Sequence, residues 1–410
     1  MRVLTSEEIR QVEYWARNTQ IAKILSFFDE FPRFIHAPQP FLIGSNNESE
    51  ILIAGDTTVS RIREALRHLD EPFNPHLKEQ KFLGGIKREK PEKAFPTLYQ
   101  ELRKGLTEVC LLEDTGECDG KIIRAHSLQK SLFRRHAKNG HVYQFDPFTG
   151  QHDANRNLWP DLIGINEATT FLGFCKRHDS QVFSPIEDVS FQNTPEQKFL
   201  HHYRAFAQMY YDKAYKFKII KNVFIELAKK FSPSELNILA KTIYLNQHDV
   251  DELKEQKLRL DVRLQKKDWS TVEGCAFLGD KMPEILTANF FAPRKNFHGL
   301  IFQDTKSLLS LKWISFTVTA TNDRALFLLC GEKGCPVLHE FVKSFREMPL
   351  QTNAIVTYVF CAFENFILLP EWWESLSKDV QKKFVNAYQG RYYRRELPNT
   401  ADWKLKELVP

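Results

Sequence analysis

The sequence predicts an α+β protein of several domains. Three features carry that expectation. The chain has 410 residues, enough for two or three separate cores. Its hydrophobic pattern changes along the length, helical between Pro195 and Trp269 and rich in β-branched and aromatic runs after Val272. Between them, Cys110–Asp179 gathers Cys110, Cys118 and Cys175 with several histidines and an asparagine.

An apolar fraction of 42%, a charged fraction of 27% and 33 Phe exclude a disordered chain. The net charge of +5 is compatible with a nucleic-acid partner without requiring one. MRVLTSEEIRQVEYW lacks the apolar core of a signal peptide, and no run approaches the roughly 18 apolar residues of a membrane span. The seven cysteines have no regular spacing, which favours metal ligands or core thiols in a reducing cytoplasm over a disulfide framework, with no membrane partner.

The chain divides into four expected domains, 1–95, 96–190, 195–270 and 272–410. The first is mixed α/β. Thr5-Ser6-Glu7-Glu8 caps a helix, 41–43 and 51–54 are short strands, and Asp56-Thr57-Thr58 caps a helix carrying Val59, Ile62, Leu66 and Leu69. Gly55 stands alone, so there is no phosphate-binding loop, and a scaffold or recognition role is expected. A charged, glycine-bearing linker over 84–93 precedes a helix with Leu98, Leu102 and Leu106.

In the central stretch, Cys110 and Cys118 flank a turn. Residues 121–125 form a strand ending at His126, and Ser127 caps a helix over 128–138 that stops at Asn139-Gly140. Residues 141–145 alternate as a second strand. Asn166 then leads into a helix over 167–177. Downstream, a long helix over 196–231 crowded with Tyr, Phe and Lys is followed by a second, capped by Ser232 with Glu235. Its stripe Leu236, Leu239, Ile243, Val250, Leu253, Leu260 and Leu264 predicts a helical hairpin, pairing within the chain or in a homodimer. After Val272 a mostly antiparallel sheet is expected, with strands at 300–302, 313–319, 325–330 and 356–363, and a closing helix from Pro370 to Tyr388.

Structural Zn²⁺ takes four Cys or His ligands, commonly as two pairs. Cys110 with Cys118, and Cys175 with His178, supply them, and a competing set replaces Cys110 by His126. The seven-residue gap of the first pair is wide. Cys330 and Cys335 bracket a turn and have no matching pair, and Trp372-Trp373 reads as packing.

The order Cys110, Cys118, strand-end His126, Asn166, then Cys175-Lys176-Arg177-His178-Asp179 resembles the HNH (ββα-metal) endonucleases in their zinc-stapled treble-clef form, over about 70 of the 410 residues. The resemblance implies that His126 is the general base, Asn166 holds its ring and Asp179 binds a catalytic Mg²⁺ or Mn²⁺. It departs from the family pattern at Ala125, where an acidic residue often stands, and at His178-Asp179, where Cys-His is usual. His141 and Asp146 are the available substitutes for the missing ligand. Hydrolysis of a phosphodiester needs those parts: a neutral imidazole to deprotonate water and positive charge at the phosphate.

Lys121, Arg124, Lys130, Arg134, Arg135 and Lys138, with Lys176 and Arg177, form a basic set without an intervening acid between 121 and 138. Such residues supply sequence-independent affinity for phosphates. The sequence therefore predicts a metal-dependent nuclease acting on DNA by preference, with RNA left open, in a setting such as bacterial antiviral defence. The alternative is a non-catalytic zinc-containing nucleic-acid-binding or sensing protein.

Overall fold

A computed structural model of the chain describes residues 106–116, 118–146, 150, 153, 157–218, 233–303, 311–390, 400–401 and 403–408. The expectations for residues 1–95, the linker at 84–93 and the helix leading to Leu106 lie outside them. The chain divides into two compact units. In the first, described over 213–218 and 233–251, the Lys213 ammonium pairs with Asp249 at 2.5 Å and the Asn246 amide donates to the Lys213 carbonyl. No described helix is long and apolar enough to cross a membrane.

The second unit is built on an eight-stranded sheet, and its class is α+β. The strands are β1 (Ile122–His126), β2 (His141–Gln144), β3 (Asp161–Gly164), β4 (Thr170–Cys175), β5 (Val272–Leu278), β6 (Ile285–Phe291), β7 (Ile314–Thr321), β8 (Arg324–Glu332), β9 (Phe366–Leu368) and β10 (Lys406–Glu407). Their order in the large sheet is β10-β5-β8-β7-β6-β9-β2-β3, antiparallel at every step, while β1 and β4 form a separate hairpin. The helices of the described residues are α1 (Lys130–Arg134), α2 (Lys176–Glu187), α3 (Pro195–Tyr211), α4 (Pro233–Lys266), whose residues up to Asp251 belong to the first unit, α5 (Pro336–Arg346), α6 (Gln351–Ala362), α7 (Pro370–Ser375) and α8 (Lys378–Gly390).

The sequence places a domain boundary between residues 190 and 272, and the sheet crosses it. Tyr143 of β2 pairs with Leu368 of β9. Phe145 stacks on Tyr388 at 4.2 Å and meets Trp373 edge-on at 6.4 Å. A small zinc module has no core of its own for Val142 and Phe145, so the segment between β1 and β4 buries them in the larger one.

Alternation decides which face each residue takes. On β7, Ile314, Phe316 and Val318 enter an aromatic core with Phe327, Phe341, Phe345 and Tyr358, under α5 and α6. Ser315, Thr317 and Thr319 point to the opposite face, where His202 of α3 contacts Ser315 at 3.0 Å. That face is completed at the β6–β9 side by Leu128 and Phe133 against Leu286, Ala288 and Ile367. The Tyr- and Phe-rich helix expected as one arm of a hairpin is thus, in α3, a core helix: Tyr203, Phe206, Tyr210 and Tyr211 are buried, and α3 lies on β5 through β8.

Three expected elements change type or extent. Of residues 356–363, read as a strand, 356–362 belong to α6 and Phe363 caps it; a largely apolar run carries no clear period, and here it is mostly buried. Residues 300–302 form only an isolated bridge, Ile301 with Lys295. The helix expected over 167–177 is β4 up to Cys175, and α2 starts only at Lys176. Thr170, Phe171 and Phe174 are better strand than helix formers. Gly173 is required where it stands, because a Cβ there would lie 2.6 Å from the Phe171 ring and 3.3 Å from Leu111.

Candidate metal centre and the His126 end of the hairpin

The candidate metal centre is assembled by three backbone segments meeting at one end of β4. Val109 and Leu111 donate to the Leu172 and Gly173 carbonyls, which lays Cys110 beside Cys175. A turn of 3₁₀ helix over Glu113–Thr115 returns the chain so that Cys118 faces them. Cys175 ends β4 and caps α2, its sulfur accepting from the His178 amide at 3.4 Å. Asp119 ties the turn to the helix start, accepting from the Lys121 amide at 3.0 Å and the Arg177 amide at 3.2 Å.

The ligating atoms of Cys110, Cys118, Cys175 and His178 all lie within 4.8 Å of one another. His178 Nδ1 is 3.2 Å from Cys110 Sγ and 3.4 Å from Cys175 Sγ. Its Nε2 is 3.0 Å from the Gly116 carbonyl. A carbonyl only accepts, so Nε2 carries the proton and Nδ1 turns its lone pair to the sulfurs, as second-shell fixation of a metal-binding imidazole requires. Burial pushes the Cys110 thiol up to about 12, so a thiolate there needs a cation beside it. Three sulfurs and one imidazole nitrogen at this spacing are a donor set suited to Zn²⁺. His126 is not part of the group, which separates the two ligand sets that spacing left open.

His126 stands at the other end of the hairpin. The register pairs Ile122 with Cys175 and His126 with Thr170. Five residues of β4 at about 3.3 Å each put the two ends roughly 17 Å apart. Helix α2 leaves the metal end and returns along the hairpin; its eleven steps from Lys176 to Glu187, at 1.5 Å, cover roughly the same distance. The residue of α2 level with His126 is therefore Glu187 at its last turn, not Asp179 at its first.

The contacts agree with that geometry. The Gln129 amide donates to the Glu187 carbonyl, and Glu187 pairs with Arg204 of α3. Asp179, expected to bind a catalytic cation, lies 3.7 Å from the same guanidinium. Phe183, one turn from each acid, lies under Arg204 at 4.6 Å. Burial raises the Asp179 carboxyl above its ordinary value, with Arg204 opposing and Glu187 reinforcing the shift. Sequence reasoning missed both Glu187 and Arg204. The signal was present as an acid, Phe, acid stripe at i, i+4 and i+8 on α2, facing a lone Arg within the aromatic α3.

The His126 ring is held by backbone. Its Nε2 is 2.9 Å from the Ile165 carbonyl, so Nε2 carries the proton and Nδ1 the lone pair. Asn166, expected to orient that ring, instead accepts from Lys130 through its side-chain oxygen. Burial lowers the His126 pKa; the Ile165 carbonyl opposes the shift, and Lys130 and Arg204 add to it. The ring is neutral at pH 7.

A catalytic Mg²⁺ or Mn²⁺ is implied by the resemblance, and the side chains here do not fit one. Among the described residues, the Cys110 group is the only set of three or more ligating side chains. Asp179 and Glu187 are both turned to Arg204, whose charge opposes a divalent ion. His141 is exposed on β2 with Nδ1 at the Asn139 carbonyl, and Asp146 follows β2 in the large sheet.

Within the basic set, Arg124 pairs with Glu167 at 3.5 Å, Lys130 with Asn166, Arg135 with Asp323 at 3.4 Å and Lys138 with Glu374 at 2.6 Å. Lys121, Arg134, Lys176 and Arg177 are exposed. Trp372 and Trp373 are buried, as is Cys330, and Cys335 caps α5. Comparison with protein-family models, with curated proteins and with solved structures gave no match.

Proposed function

We propose that the protein hydrolyses phosphodiester bonds in nucleic acid, DNA by preference, with His126 as general base and the Cys110–Cys118–Cys175–His178 centre as a structural zinc site. One observation carries the reading: His126 ends β1 with Nε2 donating to the Ile165 carbonyl, which leaves Nδ1 basic, neutral at pH 7 and fixed in direction. Lys130 lies within electrostatic reach of the ring and supplies positive charge for a phosphate, while Arg124, two residues before His126, is paired with Glu167. The zinc would hold β1, β4 and α2 in register, and no step of hydrolysis is assigned to it. A defence setting remains part of the proposal through the nuclease resemblance alone.

A second reading is a nucleic-acid-binding module without hydrolysis. What favours it is the commitment of Asp179 and Glu187 to Arg204, together with Ala125 at the position where the resemblance places an acid. The two separate in a cleavage assay on plasmid, linear DNA and RNA, run with Mg²⁺, with Mn²⁺ and with neither. Hydrolysis by the wild type is expected. Failure on every substrate, with DNA still retarded in a gel, leaves the binding reading.

A further inference from the structure

A cavity of about 350 Å³ opens beside the His126 end of the hairpin. One wall is the chain that directly follows His126, from Ser127 to Arg135. A second is the end of α2 and the residues after it, Ile186 to Phe191. The floor is α3 and the hydroxyl-bearing face of β7.

Two residues of that lining each carry a buried polar atom with no hydrogen-bond partner among the described residues: the Thr317 hydroxyl and Arg204 Nε. Thr317 is 2% exposed and Arg204 3%. Buried polar groups are rarely left unpaired, so these point to a bound partner, water or ligand. One is a donor and the other can donate or accept.

The charge of the lining narrows the ligand. Its two guanidiniums are each paired, Arg204 with Glu187 and Arg135 with Asp323 across the surface, and Asp188 adds a third carboxylate. An anion finds no net positive charge here. His201 offers a neutral ring, because burial, with Arg204 nearby, lowers its pKa. Leu128, Ile186, Leu326 and Phe191 supply apolar walls. A neutral, flat ring with hydrogen-bonding edges meets all of these conditions, and the cavity lies in the usual size range of small-ligand sites.

We propose that this cavity receives a nucleobase of the bound strand, turned out of its stack next to the phosphodiester at His126. The proposal rests on the nuclease reading for the source of the base, and on the cavity alone for its chemistry. Enzymes that reach into a stack pay a few kcal/mol to extrude a base and recover it in a fitted pocket. Thr317 and Arg204 would read the edge of the base, and the apolar walls would cover its faces.

The test uses the full chain carrying His126→Ala, so that cutting does not interfere. DNA with 2-aminopurine at one position is the probe, since its fluorescence rises severalfold on leaving the stack. In parallel, adenosine, guanosine, cytidine and thymidine are titrated by calorimetry. The expected result is a fluorescence rise that weakens by about fivefold in apparent affinity when Thr317→Val is added, the effect of one neutral hydrogen bond. Thr317→Val should keep or raise the melting temperature, because it removes an unpaired buried hydroxyl. No fluorescence rise while the DNA is still retarded in a gel overturns the proposal. Where the DNA is retarded in the gel, binding of free nucleosides without a strand signal also overturns it, and assigns the cavity to a free nucleoside. If the protein neither binds nor cuts DNA, the nuclease reading fails separately. The calorimetry then decides the cavity: nucleoside binding sensitive to Thr317→Val supports a nucleobase pocket, and no binding overturns it.

Discussion

The two ends of the β1–β4 hairpin carry the same device to different purposes. At each, a histidine gives its Nε2 proton to a backbone carbonyl, Gly116 for His178 and Ile165 for His126. That fixes the tautomer and leaves Nδ1 as the reactive atom. At the Cys175 end, Nδ1 faces two sulfurs at 3.2 and 3.4 Å, within a group of four ligands. At the Thr170 end no such group stands among the described residues; the acids nearby are held by a guanidinium. The first end is built to hold an ion. The second is built to hold a neutral base in place. Orientation by backbone is common to both, and the neighbours decide the chemistry.

The comparison breaks most visibly at the metal end. Cys175→Ser should lose the bound metal, expected at about one zinc per chain in the wild type, and lower the melting temperature by roughly 10 °C or more, because metal binding there is folding energy. Elemental analysis and calorimetry of the same preparation check both. A variant that keeps its metal and its stability would remove the scaffold role.

Next in size is the guanidinium between the ends. Arg204→Ala leaves the half-buried Asp179 and Glu187 carboxylates without their cation, and should cost about 1–3 kcal/mol in a urea titration. A cost below about 1 kcal/mol would mean that water already solvates the pair.

The His126 end is sharpened by pH. The lowered His126 pKa means that the folded state takes up its proton at lower pH than the unfolded chain. Stability is therefore full above the ordinary value near 6.5 and falls as pH drops below it, by up to about 1 kcal/mol between pH 6.5 and 5.5. Comparing wild type with His126→Gln isolates that contribution. The acid limb of the cleavage profile should likewise lie below pH 6.5. A limb above it would assign the base to another group.

The smallest effect is expected at Asn166. Its side chain engages half-buried Lys130 and not the imidazole, so Asn166→Ala should change cleavage by less than about threefold and stability by about 0.5 kcal/mol or less. A hundredfold loss would restore the orienting role that the resemblance implies.

What was legible in the sequence follows the same division. The cluster of Cys110, Cys118, Cys175 and His178 could be read because its side chains are of unusual type, although the wide gap of the first pair left His126 as a rival to Cys110, and the hairpin between them was half visible through 121–125. The strand character of Thr170–Cys175 was hidden by an apolar run short enough for either element. The orienting groups could not be read at all, since Ile165 and Gly116 act through carbonyls that every residue possesses. Nor could the joining of β2 to β9, because register between strands more than 200 residues apart leaves no local trace. The Arg204 contacts needed two helices placed side by side before a stripe on one could meet a single cation on the other.

The most direct measurement is the cleavage rate of His126→Ala at full metal content. The account predicts that this variant folds, holds its zinc like the wild type and retards DNA in a gel, yet cuts at least a hundredfold more slowly, the scale of a lost general base. Cutting at the wild-type rate by a zinc-loaded His126→Ala protein would contradict it.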